Sequence, residues 1–221
     1  MVDVADMIRR EEVMGLLESA GAVRRGHFEL SSGLHSAMYV QCALVLQYPR
    51  FAERLGAGLA ALFAADEIEA VVSPAMGGLI IGQEVARALP QRKLEGAPDD
   101  GGVAAIFVER DASGAMTMRR GFSLRDGQRV LVVEDVWTTG GSTREAIGVI
   151  EEAGGRVVGA GAIIDRSGGK INLGVPAKAL LDLAIPSYTP AECPLCREGG
   201  AAVKPGSRHA RGGDVRSTAA R

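Results

Sequence analysis

The run Val130-Leu131-Val132-Val133-Glu134-Asp135-Val136-Trp137-Thr138-Thr139-Gly140-Gly141-Ser142-Thr143-Arg144-Glu145 constrains this chain more than any other stretch. Four apolar residues, three of them β-branched, predict a strand covered on both faces, as strands of parallel sheets are. Two adjacent carboxylates follow at its carboxyl end, the edge where open α/β sheets hold their ligands. Gly140 and Gly141 let the backbone approach an anion closely, and Ser142 with Glu145 has the spacing of a capping box opening the next helix. The unpaired N–H groups of such a helix start can hold a phosphate, so the layout is that of a sugar-phosphate site. Two common nucleotide loops are excluded. A Walker loop needs Gly-Lys-Ser/Thr, and a dinucleotide fingerprint puts its glycines directly after the strand with the acid far downstream.

The rest of the chain alternates helical and strand-like patterns. Asp6 to Ala20 and Phe51 to Phe63 carry apolar residues at helical spacing, and Ile80 to Leu89 and Thr143 to Ala153 are further helical stretches. Ala70 to Ser73, Val103 to Val108, Val130 to Val133, Val157 to Ile164 and Ala179 to Leu183 are short apolar runs. Together they predict an α/β fold, a central mostly parallel sheet of four or five strands flanked by helices. Arg92 to Gly102 is polar and rich in breakers, which predicts a surface excursion.

At 221 residues, 47% hydrophobic and 24% charged, the chain can bury one ample core, so residues 1–198 are read as a single domain. In the tail, 199–221, Lys204, Arg208, Arg211, Arg216 and Arg221 face one acid, Asp214, which predicts a basic, flexible end. Lys204 and Arg208 are the tail residues that could add to a phosphate site. A net charge of −2 argues against nucleic acid as a partner, and no apolar run approaches the ~20 residues of a membrane span. Met1 to Glu12 is charged rather than signal-like, so the expected compartment is the cytoplasm.

Strand, acid-acid, Thr-Thr-Gly-Gly-Ser, helix resembles the phosphoribosyl pyrophosphate (PRPP) motif of the type I phosphoribosyltransferases. The resemblance implies that Glu134 and Asp135 meet the ribose hydroxyls. It implies too that Val136, Trp137, Thr138, Thr139, Gly140, Gly141 and Ser142 wrap the 5-phosphate. Within that family, His27 to Gln41 resembles the N-terminal hood of the orotate phosphoribosyltransferases, with the hood mainly in 1–45. Ser73 to Gly82 looks like the pyrophosphate loop, with Ala75, Met76 and Gly77 at its centre, and Ile163 to Ser167 holds the Asp-Arg whose arginine, Arg166, would contact orotate beside Thr138. A planar guanidinium suits the orotate carboxylate, which purines lack. The implied activity is phosphoribosyl transfer from PRPP to orotate in UMP synthesis. Mg²⁺ would bind mainly through PRPP, with no metal ligands assigned to the protein. A purine or xanthine acceptor, or a PRPP-sensing regulator of the same fold, is the alternative.

Two departures stand out. Many relatives carry lysines where Ser31 and Gly77 stand, and their catalytic loop is rich in Lys and His, whereas Phe107 to Gly121 offers Arg110, Arg119 and Arg120. The resemblance implies a homodimer with shared sites, and Arg110 is expected to act in the neighbour's. His27 and His35 read as hood packing or polar contacts. Cys193-Pro194-Leu195-Cys196 has the gap of half a zinc site, but two further ligands at matching spacing are missing, with His209 one candidate. The pair therefore reads as reduced, packed or idle, the alternative being a structural zinc, held within one chain or shared across a dimer.

Overall fold

The structure, a computed structural model, describes residues 8–30, 33–91 and 102–205. In chain order the elements are α1 (Arg10–Ser19), β1 (Val23–Glu29), β2 (His35–Val40), α2 (Ala43–Leu46), α3 (Pro49–Ala61), β3 (Ala70–Pro74), α4 (Gly78–Ala88), β4 (Ala104–Arg110), β5 (Met116–Met118), β6 (Arg129–Trp137), α5 (Gly141–Glu152), β7 (Arg156–Asp165), β8 (Ala177–Asp182), β9 (Ser187–Tyr188) and α6 (Pro194–Arg197). They form two compact units: Met1–Ala22 with Gln41–Ala184, and Val23–Val40 with Ile185–Arg221.

Unit one is the α/β layer structure. Its sheet has the order β5-β4-β3-β6-β7-β8, with β3, β4, β6, β7 and β8 parallel and β5 turned back antiparallel on β4. β6 is a central strand, and Val130 to Val133 are completely buried because helices cover both faces. Each such side chain contributes roughly 1.5–3 kcal/mol relative to exposure. Alternation sends Val130 and Val132 into a cluster with Ala146, Ile147 and Ile150 of α5. The opposite face is packed by α3, whose Leu59 lies against Gly161 of β7.

Every long expected element is present, with shifted ends. β6 runs four residues past its expected stop, to Trp137, so both acids lie on the strand rather than beyond it. The expected capping box is not made: α5 opens at Gly140 in the left-handed conformation (φ 72°), with no side-chain cap. Most of the 92–102 excursion lies outside the described residues.

Unit two is small. β1 and β2 pair antiparallel, β9 adds to β2, and Val203 bridges Phe28. The compact units thus cut the chain differently from the expected division. α1 belongs with unit one rather than the hood, and residues 199–205 are tied to β1 by paired backbone bonds of 2.9 Å between Val203 and the His27 and Glu29 backbone. Lys204 reaches Glu29 at 2.7 Å, and Arg208 with the rest of the tail lies outside the described residues.

Candidate active site

In a strand, successive side chains leave on opposite faces, and the acidic pair obeys this. Glu134 follows Val130 and Val132 toward α5, where its carboxylate accepts a hydrogen bond from the Thr143 hydroxyl. That hydroxyl accepts in turn from the indole Nε1 of buried Trp137 at 3.0 Å. Asp135 turns toward the start of α4, with Oδ1 accepting from Val136 N–H at 2.9 Å. A Cβ on Gly77 would lie 2.6 Å from Asp135 Oδ1, so the loop after β3 rests directly on this carboxylate. Two segments picked out separately in the sequence therefore meet. Gly77 also acquires a reason: a lysine here would displace Asp135.

Burial makes both carboxylates reluctant anions. Desolvation chiefly, with the neighbouring Asp135 charge and against the Thr143 hydrogen bond, pushes Glu134 up to about 7. Desolvation likewise raises Asp135, opposed by the Val136 N–H.

The turn between β6 and α5 is built for an anion. Thr138 and Thr139 are exposed, and the first intrahelical bond of α5 runs from Arg144 N–H to Gly140 O at 3.0 Å. The N–H groups of Gly141, Ser142 and Thr143 thus have no acceptor within the helix. Arg144, which sequence reasoning passed over, braces the turn by donating to Thr139 O at 2.7 Å and Asn172 O at 3.1 Å. Trp137 contributes through packing, since its indole is committed to Thr143. Next door, Ala75 N–H donates to Val108 O at 2.8 Å, the Ala75–Met76 peptide is cis, and Met76 is 81% exposed.

Arg166 is positioned by strand pairing. Trp137 pairs with Asp165 across β6 and β7, and Arg166 N–H donates to Trp137 O at 2.8 Å, so Thr138 and Arg166 leave adjacent strand ends together. Asp165 is buried and accepts from Ser167 N–H at 2.7 Å. The arginine segment 107–121 is the β4–β5 hairpin. Arg119 and Arg120 both pair with Glu109, while Arg110 pairs with Glu145 of α5 at 2.8 Å and donates to Gly114 O at 2.7 Å. Glu145, expected to cap α5, instead holds Arg110 beside the first turn of that helix. Ser31 lies outside the described residues.

The phosphoribosyl transferase domain family matches residues 45–182, which contain all of these groups. The orotate phosphoribosyltransferase of Pelotomaculum thermopropionicum is 51% identical over 199 residues, covering 90% of this chain and 98% of its own length. The chain belongs to the orotate phosphoribosyltransferases. That of Thermotoga maritima is 49% identical over 193 residues, 87% of this chain and 96% of that one. Among solved structures, orotate phosphoribosyltransferase of Mycobacterium tuberculosis in complex with inorganic phosphate superposes with a TM-score of 0.62 at 27% identity, covering 79% of this chain and 96% of that chain. Adenine phosphoribosyltransferase from Thermoanaerobacter pseudethanolicus reaches 0.59 at 18% identity, so the fold alone does not separate acceptors. Both of these sequence relatives are orotate phosphoribosyltransferases.

Proposed function

We propose that the β6 strand end and its turn are the donor site of an enzyme that transfers the 5-phosphoribosyl group from PRPP to orotate, giving orotidine 5-phosphate and pyrophosphate. The observation that carries this is the contact of Asp135 with the Gly77 backbone, which sets a carboxylate between the two phosphate-type loops. The 5-phosphate binds the turn Thr138–Ser142 and the free N–H groups of α5. The ribose hydroxyls hydrogen-bond to Glu134 and Asp135, directly or through water. As the anomeric C–O bond to pyrophosphate breaks, positive charge develops on the sugar, and the two carboxylates stabilise it. An orotate ring nitrogen supplies the electron pair of the new C–N bond, so no protein nucleophile is needed. Arg166 and Thr138 orient the orotate carboxylate and ring.

The carboxylates suit a magnesium ion, because hard oxygen donors are its usual ligands and burial leaves both groups short of a neighbouring cation. Bound mainly through PRPP, magnesium supplies charge neutralisation of the pyrophosphate. Arg110 adds positive charge to the leaving group. Its hold on Glu145 within one chain supports action at its own site, while the family resemblance supports a homodimer with Arg110 acting in trans. Mixing Arg110→Ala with Asp135→Asn chains decides between them, since random pairing in a trans dimer restores roughly a quarter of wild-type activity, whereas a cis arginine leaves every site with one lesion and restores none. Substrates that are small soluble anions support a cytoplasmic setting without nucleic acid or membrane, and no described helix is long and apolar enough to cross a bilayer.

The test is ultraviolet detection of base consumption with PRPP and magnesium, offering orotate, adenine, hypoxanthine, xanthine and uracil separately. Depletion of orotate alone supports the proposal. Consumption of a purine with orotate untouched contradicts it.

A further inference from the structure

Four side chains that the orotate chemistry does not use converge in unit two. His27 lies on β1, His35 opens β2, Cys193 precedes α6 and Cys196 lies within it. One ligand atom from each falls within 4.8 Å of all the others. His27 Nε2 stands 3.4 Å from Cys193 Sγ, 3.7 Å from Cys196 Sγ and 2.9 Å from His35 Nδ1, and Cys196 Sγ stands 3.2 Å from His35 Nδ1. A tetrahedral site with metal–sulfur bonds near 2.3 Å and metal–nitrogen bonds near 2.0–2.1 Å separates its ligand atoms by about 3.3–3.8 Å, so these four separations lie within about half an ångström of that range, and the widest spread, 4.8 Å, closes with a side-chain shift of about 1 Å.

The outer contacts point the same way. His27 Nδ1 lies 2.9 Å from Gly200 O, and a carbonyl only accepts, so Nδ1 carries the proton and Nε2 offers its lone pair to the cluster. Cys193 is fully buried and His35 is 8% exposed, while His27 and Cys196 are half-buried, so the cluster is largely shielded. Cys193 and Cys196 stand one helical turn apart at the mouth of α6, the spacing that lets two thiolates share one ion. Among the described residues, the hydrophobics that unit two buries are only Phe28, Val40 and Cys193. A unit joined from two distant stretches with so little core is the kind that a structural ion stabilises.

We propose that His27, His35, Cys193 and Cys196 form a structural zinc site that ties the C-terminal stretch to the β1–β2 hairpin. A tetrahedral set of two sulfurs and two nitrogens selects zinc among common ions. Binding releases the thiol protons to water, and all four ligands come from one chain, so neither His209 nor a second subunit is needed. The ion is separate from the magnesium that accompanies PRPP.

The test uses the full chain without a histidine tag, unfolded with a chelator and refolded with zinc, then freed of unbound metal. About one zinc per chain is expected by elemental analysis, and none in the Cys193→Ser, Cys196→Ser double variant. Refolding with cobalt should give the thiolate charge-transfer and intense visible bands of a tetrahedral site. If the double variant fails to fold, X-ray absorption on the wild-type zinc form decides, with two sulfurs near ~2.3 Å and two nitrogens near ~2.0 Å expected. Zinc below about a tenth of an equivalent, equal zinc in a folded double variant, a shell of oxygen and nitrogen only, or stoichiometric iron in place of zinc would each overturn the proposal.

Discussion

At the end of β6, two carboxylates that are neighbours in sequence are drawn apart, Glu134 toward Thr143 and Asp135 toward Gly77. In unit two, four side chains far apart in sequence converge until their ligand atoms lie within 4.8 Å. The first cluster is open. It holds desolvated acids beside an exposed turn, where the first N–H groups of α5 have no acceptor within the helix. The second is largely shielded, and its ligand atoms face one another. On the proposed function and the proposed zinc site, the first gives up some stability for chemistry, and the second supplies stability and does no chemistry. Lesions in the first should therefore change rates, and lesions in the second should change melting temperature.

The largest effect that would sharpen this contrast is expected at Arg166. Replacing it with alanine should raise the orotate KM on the order of 10- to 100-fold while the PRPP KM stays near wild type, as loss of one charge-assisted contact implies. Equal rises for both substrates would make the arginine structural. Gly77→Ala comes next. The three atoms nearest the added methyl all belong to the end of the Asp135 side chain, which can rotate away, so turnover should drop about 10-fold with stability held within about 1 kcal/mol. A falling melting temperature with unchanged turnover would break the comparison.

Thr143→Val probes the part of the open site that is architectural. It strips the buried Trp137 Nε1–H of its acceptor, and urea melts should record a loss of roughly 1–3 kcal/mol. The same change removes the hydrogen bond that favours ionised Glu134, so its pKa should climb further. A further effect is in pH dependence. Folding raises Glu134 from 4.5 to about 7, which means the ionised form opposes folding. The penalty is absent below the unfolded value, grows between the two values and is complete above the folded one. Glu134→Gln should thus gain on wild type by about 2 kcal/mol between about pH 5 and pH 8, as judged by denaturant melts without ligand. A constant difference across that range would refute the shift.

The contrast also explains what the sequence made legible. The 130–145 run encodes strand, acids, turn and helix consecutively, so local pattern was enough to find Glu134, Asp135 and the turn. Local pattern could not show that β6 continues to Trp137, because Val136 and Trp137 owe their strand geometry to pairing with Ile164 and Asp165 of β7. The capping box is absent because α5 starts at Gly141 with Gly140 as its N-cap, which puts Ser142 inside the helix, and Glu145 pairs instead with Arg110 from the β4–β5 hairpin. Cys193 and Cys196 lacked partners at any regular spacing, for the partners arrive through the β1–β2 hairpin and its register. His27 and His35 were visible only as hood residues. Gly77 looked like a missing lysine until the Asp135 carboxylate was found against it.

The most direct test of the donor site is steady-state turnover of Asp135→Asn with orotate, PRPP and magnesium, alongside its melting curve. The carboxylate is predicted to be worth at least ~10-fold in kcat, about 1.4 kcal/mol of barrier, with folding intact. Wild-type turnover in the folded variant would remove Asp135 from the site and contradict the account.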